Sequence, residues 1–175
     1  KFKASTKKRA KLKANLFGSG AIMNSALDAQ KILEKDYNVS ADVWSITSYK
    51  ALHRDCLDAE RWNRMHPGGK TRLSYLEQCL EKESGVYVMA SDYVKALPES
   101  IARWFPNPPV ALGTDGFGRS ESREALRDHF EVDARFIVLG ALDTLAREGD
   151  IDVAVVKKAM KDLKINPEKA NPAYL

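Results

Sequence analysis

The chain reads Leu112-Gly113-Thr114-Asp115-Gly116-Phe117-Gly118-Arg119-Ser120 where a short apolar run gives way to a charged segment. The run Val110 to Thr114 predicts a strand, the glycines predict a turn, and Ser120 or Ser122 can cap a following helix. Open α/β sheets carry their functional surfaces at such strand-to-helix turns. The stretch therefore predicts an α/β fold and a first candidate for a functional surface.

Short apolar runs alternate with amphipathic patterns elsewhere in the 175 residues, so we expect one α/β domain over 1–175. Each further predicted strand is apolar on both faces, as in a parallel sheet covered by helices: Leu12 to Phe17, Val43 to Thr47, and Val86 to Ala90. Lys1 to Ser5 is predicted as an edge strand that forms a hairpin with Leu12 to Phe17, within residues 1–20, through a lysine-rich turn.

Apolar spacing and caps predict the helices. Ala21 to Tyr37 has four apolar residues at spacings of four, three and four: Ile22, Ala26, Ala29 and Leu33. Asp133 can cap a helix that stops at Gly149, and Asp150 can cap the next one. The chain is thus expected to end in consecutive helices over 134–175.

The composition, 44% hydrophobic and 30% charged, is that of an ordinary soluble protein without an apolar run that could span a bilayer, so we expect no membrane partner. The net charge is +4, but 7 of the 28 basic side chains lie in residues 1–13, and the rest of the chain has 21 basic against 24 acidic side chains. A nucleic-acid partner is therefore not expected. The lysine-rich segment Lys7 to Lys13 is interpreted as a solvated turn, and a contact with a polyanion stays open.

Residues 53–67 are crowded with ionisable groups. We expect a surface network of ion pairs with Trp62 and Met65 packed beneath it, formed by Asp58, Glu60, Arg61 and Arg64. A catalytic alternative would need His53 or His66 beside an activated Cys56, and nothing in the sequence activates that thiol. Cys56 and Cys79 are therefore expected to be free thiols in a reducing compartment.

Gly18-Ser19-Gly20 follows a predicted strand and opens a helix, where a dinucleotide-binding domain would hold pyrophosphate. The third glycine of that motif is missing, so a structural turn is favoured. The sequence also lacks a GDG…N thiamine-diphosphate motif, a Walker A motif, HExxH and GxSxG. We accordingly assign no catalytic, cofactor-binding or metal-binding residue.

The glycine-rich loop allows two interpretations. It could simply anchor the next helix, whose Leu126 and Phe130 face the core. It could instead contact another domain or face an anion, because arginines near a helix N-terminus add fork-shaped donors to the free amides. The residues of this candidate domain-contact loop are Asp115, Phe117, Arg119, Ser120 and Arg123.

The same loop, together with four other stretches, resembles the homodimeric thiamine-diphosphate-dependent pyruvate dehydrogenase family. The matching stretches occur in one order along the chain: Leu16 to Ile22, Asp42 to Tyr49, Glu60 to Asn63 with His66-Pro67, Ala90 to Tyr93, and Gly113 to Phe130. This resemblance implies a transketolase C-terminal-like domain with three layers, α/β/α. Its five-stranded, mostly parallel sheet would have an antiparallel first strand, at Lys1 to Ser5.

The resemblance also implies a function for the complete enzyme. It would oxidatively decarboxylate pyruvate on thiamine diphosphate and Mg²⁺ in the bacterial cytoplasm and pass the acetyl unit to lipoyl groups. This chain alone is expected to bind no cofactor and to be inactive. Its expected partners are the preceding domains, a second subunit and the dihydrolipoyl acetyltransferase component. A freestanding α/β module for a phosphate ligand, or the C-terminal domain of a transketolase-like enzyme, are the alternatives.

Overall fold

The computed structural model describes residues 1–7 and 9–175 and contains a four-stranded parallel sheet between two layers of helices. The strands are β1 Lys13–Gly18, β2 Ser40–Ser45, β3 Val86–Ala90 and β4 Val110–Leu112. Their order is β2-β1-β3-β4, and every neighbouring pair is parallel. The predicted α/β fold with a parallel sheet is confirmed.

Seven α-helices occur in these residues: α1 Met23–Asp36, α2 Tyr49–Met65, α3 Tyr75–Leu80, α4 Ala96–Glu99, α5 Arg123–His129, α6 Ala134–Arg147 and α7 Val153–Asp162. Short 3₁₀ helices cover Gly20–Ile22, Ala102–Trp104 and Pro172–Tyr174. No helix in the described part of the chain is long and apolar enough to cross a bilayer.

Each face of the sheet has its own hydrophobic core, because successive strand side chains point to opposite faces. Leu16 packs with α1 and α6 on one face. The predicted apolar stripe, which runs from the 3₁₀ helix Gly20–Ile22 into α1, is fully buried there: Ile22, Ala26, Ala29 and Leu33. Phe17 packs with α2 and α3 on the other face, which is aromatic. There the ring of Phe17 stacks on Trp44, with centroids 5.6 Å apart, and meets Phe105 edge-on at 5.2 Å.

The predicted hairpin of Lys1 to Ser5 with the first strand is wrong. The segment lies beside β2 instead, where Lys3 and Val43 form a single antiparallel bridge. The reason is that β2 and β3 occupy both edges of β1 and leave no free edge for a hairpin. The predicted lysine-rich turn includes Lys8, which lies outside the described residues.

Several predicted boundaries also differ by one to three residues, and three of the differences have a local reason. β2 begins at Ser40, three residues before the predicted start. The prediction missed these residues because polar Ser40 and Asp42 interrupt the apolar pattern of the strand. β4 ends at Leu112 because Gly113 turns against the loop after β3. Asp152, not Asp150, caps α7, since the amide of Asp150 donates to the carbonyl of Leu145 and still belongs to the end of α6. Asp133 caps α6 as predicted.

Candidate functional site at the carboxyl edge of the sheet

The carboxyl ends of β1 and β3 lie side by side at the centre of the sheet. From β1 the chain continues to β2 on one side, and from β3 it continues to β4 on the other. Parallel α/β sheets bind ligands in the crevice at such a switch point. Ser19 and Ser91 follow the two strands, and their hydroxyl oxygens lie 3.4 Å apart. The predicted turn at Gly18 to Gly20 is present, and Gly20 adopts a φ of +56°.

Asp92, in the loop after β3, borders two cavities at this edge. The first has a volume of about 650 Å³ and is called here the arginine cleft, after Arg119, Arg123 and Arg127 in its wall. Its apolar lining consists of Ala21, Leu126, Phe130 and Val132. Asp92, Thr114, Gly118 and Glu121 complete it. The cleft thus combines apolar side chains with charged groups of both signs.

The second cavity lies between the loops after β1, β2 and β3 and has a volume of about 510 Å³. Thr47, Ser48 and Lys50 line it beside Tyr49, whose side chain is buried. Burial raises the pKa of the Tyr49 phenol well above its usual range. The group is therefore a neutral phenol at physiological pH.

Asp115 holds the predicted contact loop against the loop after β3. Its carboxylate accepts a hydrogen bond of 2.8 Å from the amide of Lys95 and lies 3.9 Å from the Lys95 ammonium. Thr114 adds two bonds, from its amide to the carbonyl of Tyr93 and from its hydroxyl to the carbonyl of Asp92. Asp115 is thus a structural anchor of the loop.

Two glycines let the loop lie close to its neighbours. A Cβ on Gly113 would lie 2.5 Å from the carbonyl oxygen of Tyr93. Gly116 has a φ of +98°, whereas Gly118 does not adopt a positive φ. Phe117, between these last two glycines, is 80% exposed. The loop therefore presents an aromatic ring to solvent from a fixed backbone.

Ser122 caps α5 by accepting a hydrogen bond from the amide of Ala125, whereas Ser120 is exposed and lies outside the helix. Of the five predicted loop residues, Arg119 and Arg123 meet in the arginine cleft; Asp115, Phe117 and Ser120 do not line it. Sequence reasoning omitted Arg127 and Asp92 from the candidate set. Arg127 could have been included, because it lies four residues after Arg123 and therefore on the same face of a helix. Nothing local indicated Asp92.

Residues 53–67 form most of α2, and the packing predicted there is wrong. Trp62 and Met65 are 43% and 61% exposed. Other residues of α2 are buried in the core. Trp62 is covered instead by the guanidinium of Arg72, which lies 5.0 Å from the ring centroid. The carboxylate of Glu60 pairs with Arg103 at 2.6 Å rather than with an arginine of its own helix.

The histidines of this segment each contact a tryptophan. The ring of His66 stacks on Trp62 with centroids 3.8 Å apart, and that of His53 meets Trp104 edge-on at 5.8 Å. Cys56 is fully buried, and burial raises the pKa of its thiol. A thiol with a raised pKa is a poor nucleophile, so the structure gives no support to catalysis here.

Within residues 1–7 and 9–175, no group of three or more His, Cys, Asp or Glu side chains could hold a metal ion. Proteins usually hold Mg²⁺ with one or two carboxylates together with the phosphates of its substrate. The described residues therefore offer no cluster that would hold such an ion by protein side chains alone.

A family model described as the transketolase-like TK C-terminal domain matches residues 2–133. The chain is 47% identical over 167 residues to the pyruvate dehydrogenase E1 component of Pseudomonas aeruginosa, which covers 95% of this chain and 19% of that protein. It is 44% identical over 172 residues to the E1 component of Escherichia coli K12, with 98% and 19% covered. For the E1 component of Mycolicibacterium smegmatis the identity is 37% over 169 residues, with 97% and 18% covered.

The chain spans about a fifth of the length of the curated relatives that it matches. The family model, in contrast, covers about three quarters of the chain, including all four strands and the contact loop. The resemblance found in the sequence is confirmed. The chain belongs to the transketolase-like TK C-terminal domain family, in the form that pyruvate dehydrogenase E1 components carry.

Proposed function

We propose that this chain is the C-terminal domain of a pyruvate dehydrogenase E1 component and that it supports assembly of the enzyme rather than its chemistry. The observation that carries the proposal is the alignment of 95% of this chain with only 19% of the Pseudomonas aeruginosa relative. The other four fifths of such an enzyme would hold thiamine diphosphate and Mg²⁺.

In this proposal the complete enzyme is a homodimer of the bacterial cytoplasm that acts on pyruvate, the end product of glycolysis. It would decarboxylate pyruvate oxidatively within a 2-oxo acid dehydrogenase complex. The acetyl unit would pass to lipoyl groups of the dihydrolipoyl acetyltransferase component. This chain would contribute surfaces that hold the catalytic domains and the second subunit in place.

An exposed apolar surface supports the assembly role. Its members, called here the aromatic rim, are Tyr93, Val94, Phe117, Tyr174 and Leu175, all of them well exposed. Three chain segments that touch one another carry them: Thr114 bonds to Tyr93, and Gly116 lies against Pro172. Several large apolar side chains on adjoining exposed segments are typical of a surface that another domain covers. We propose that the domains holding the cofactor cover this rim.

The five-stranded sheet expected for the complete domain also belongs to this proposal. Lys1 to Ser5 would supply the antiparallel fifth strand beside β2. The bridge between Lys3 and Val43 supports that position, as do the ion pairs of the Lys1 ammonium with Asp42 at 2.5 Å and Glu83 at 3.0 Å.

A domain exchange tests the proposed function. This chain replaces the aligned segment of the Pseudomonas aeruginosa E1 component, and pyruvate turnover and subunit mass are measured. We expect a dimeric, active chimera. A chimera with Phe117→Ser and Tyr174→Ser should lose turnover, whereas Trp62→Ser, which removes an exposed aromatic ring outside the rim, should not. A soluble, folded chimera without turnover would overturn the proposal.

A further inference from the structure

Among the described residues, the three arginines of the arginine cleft form no ion pair, although the carboxylates of Asp92 and Glu121 line the same cleft. Three carboxylates line a neighbouring groove that Arg123 and Arg127 share: Asp28, Glu124 and Asp133. Asp28 pairs with Lys31 at 2.7 Å and Asp133 with Arg135 at 2.6 Å, and within the described residues Glu124 forms no ion pair with either arginine.

Arg127 provides an independent observation. Its Nε–H is buried and has no hydrogen-bond partner in the described part of the chain. A buried donor without a partner is costly, and it cannot be relieved by deprotonation because arginine keeps its charge. The donor belongs to a residue in the wall of the cleft, where the terminal guanidinium nitrogens of Arg127 remain to bind an acceptor.

The three arginines come from two directions. Arg123 and Arg127 are one helical turn apart on α5 and therefore share a face of that helix. Arg119 comes from the loop before the helix, and the two segments enclose the cleft together with Ala21 from the crevice between β1 and β3. Guanidinium groups bind phosphate and carboxylate oxygens alike, and donors from two segments can meet the oxygens of a tetrahedral phosphate from two directions.

We propose that the arginine cleft binds the phosphate group of a small hydroxylated phosphate ester. Arg119, Arg123 and Arg127 would donate to the phosphate oxygens. The apolar side chains of Leu126, Phe130 and Val132 would cover the carbon skeleton, and the Asp92 carboxylate would accept from a hydroxyl group. Of the two carboxylates in the lining, Glu121 already accepts a hydrogen bond of 3.2 Å from the amide of Ser122. This ligand role goes beyond assembly, which does not require it.

Calorimetric titration of the 175-residue chain tests the proposal with three probes: glycerol 3-phosphate, inorganic phosphate and malonate. We expect the order of affinity to follow this order of naming, because the first probe adds hydroxyl groups and the last replaces phosphate by carboxylates. Arg127→Gln and Arg123→Gln should each weaken glycerol 3-phosphate binding at least about tenfold, the effect of one charged hydrogen bond. Arg61→Gln removes the same charge from α2 and should change nothing.

Circular dichroism shows whether each variant is folded; should Arg127→Gln fail to fold, exposed Arg123 still provides the test. The proposal is overturned if no heat of binding appears with glycerol 3-phosphate, if malonate binds as tightly as it does, or if Arg61→Gln weakens binding as much as Arg123→Gln. None of these results bears on the domain exchange, whose readout is pyruvate turnover without added phosphate ester. The two proposals therefore fail separately.

Discussion

Gly116 lies directly against Pro172: a Cβ on Gly116 would come within 2.4 Å of the Pro172 carbonyl oxygen. The contact joins the loop after β4 to the 3₁₀ helix Pro172–Tyr174, 56 residues later. Because Phe117 follows Gly116 directly and Tyr174 lies two residues after Pro172, the contact also fixes the relative positions of two members of the aromatic rim. The geometry of the proposed assembly surface thus depends on a glycine.

Gly116→Ala should destabilise the domain by at least about 2 kcal/mol, because alanine is strained at a φ of +98° and its Cβ would collide with the backbone. Gly118→Ala is the matched control, two residues away, with no atom within 4 Å of the added Cβ and no positive φ. Its effect on the free energy of unfolding in urea should stay below about 1 kcal/mol. Equal effects of the two variants would contradict the assigned contact.

Glu34 of α1 accepts hydrogen bonds from residues 5 and 6 and so holds them against this helix. Its buried carboxylate accepts hydrogen bonds from the Ser5 hydroxyl at 2.7 Å and from the amide and hydroxyl of Thr6 at 3.1 and 2.5 Å. Glu34→Gln turns one acceptor into a donor and should lower the free energy of unfolding by about 1–3 kcal/mol. Hydrogen exchange of the Thr6 amide should accelerate as well. Glu124→Gln, on exposed α5, is the control, and an unchanged Thr6 exchange rate in Glu34→Gln would refute the tie.

Lys169 links the segment after α7 to α5 and α6 through hydrogen bonds and a contact with an aromatic ring. Its ammonium donates to the carbonyl oxygens of Asp128 and His129 and lies 5.1 Å from the ring centroid of Phe136. Lys169→Met keeps the aliphatic stem and removes these interactions, so it should cost about 1–2 kcal/mol. Limited proteolysis after residue 163 should become faster. Lys161→Met, an exposed site on α7, should leave both unchanged; the same result for Lys169→Met would argue against the attachment.

Stability should fall at high pH because Tyr49 must stay protonated in its buried site. Burial raises the pKa of its phenol above the unfolded value of 10.0, so the folded state retains a proton that the unfolded state releases. The stabilisation is complete below about pH 10 and is lost as the pH rises towards the folded pKa. Tyr49→Phe should make the free energy of unfolding less dependent on pH between 9 and 11. Tyr174→Phe, at an exposed site, should not.

Patterns within one element were predictable from the sequence. The apolar spacing of α1, the cap Asp133, and Ser122 as one of two predicted caps of α5 all depend on neighbours within a few residues. The structure confirms these features because the contacts that determine them are local. The fold class followed from the alternation of strands and helices alone.

Features that depend on distant residues were not predictable. The pairing of Lys3 with Val43 depends on the central position of β1 in the sheet. Trp62 lies at the surface, where its partner is the distant Arg72. The sequence predicted only part of the arginine cleft, since Arg119 and Arg123 are close in sequence while Asp92 and Ala21 come from the segments that follow β3 and β1. No pattern within a single helix or strand predicts that such distant residues lie close together.

We propose that the reactive centre of the enzyme lies outside these 175 residues. Calorimetric titration of thiamine diphosphate with Mg²⁺ into the purified chain tests it most directly, with the complete Pseudomonas aeruginosa E1 component as the positive control. We expect a binding isotherm for the complete enzyme and only heat of dilution for the chain. A saturable isotherm with micromolar affinity for the chain itself would contradict the account.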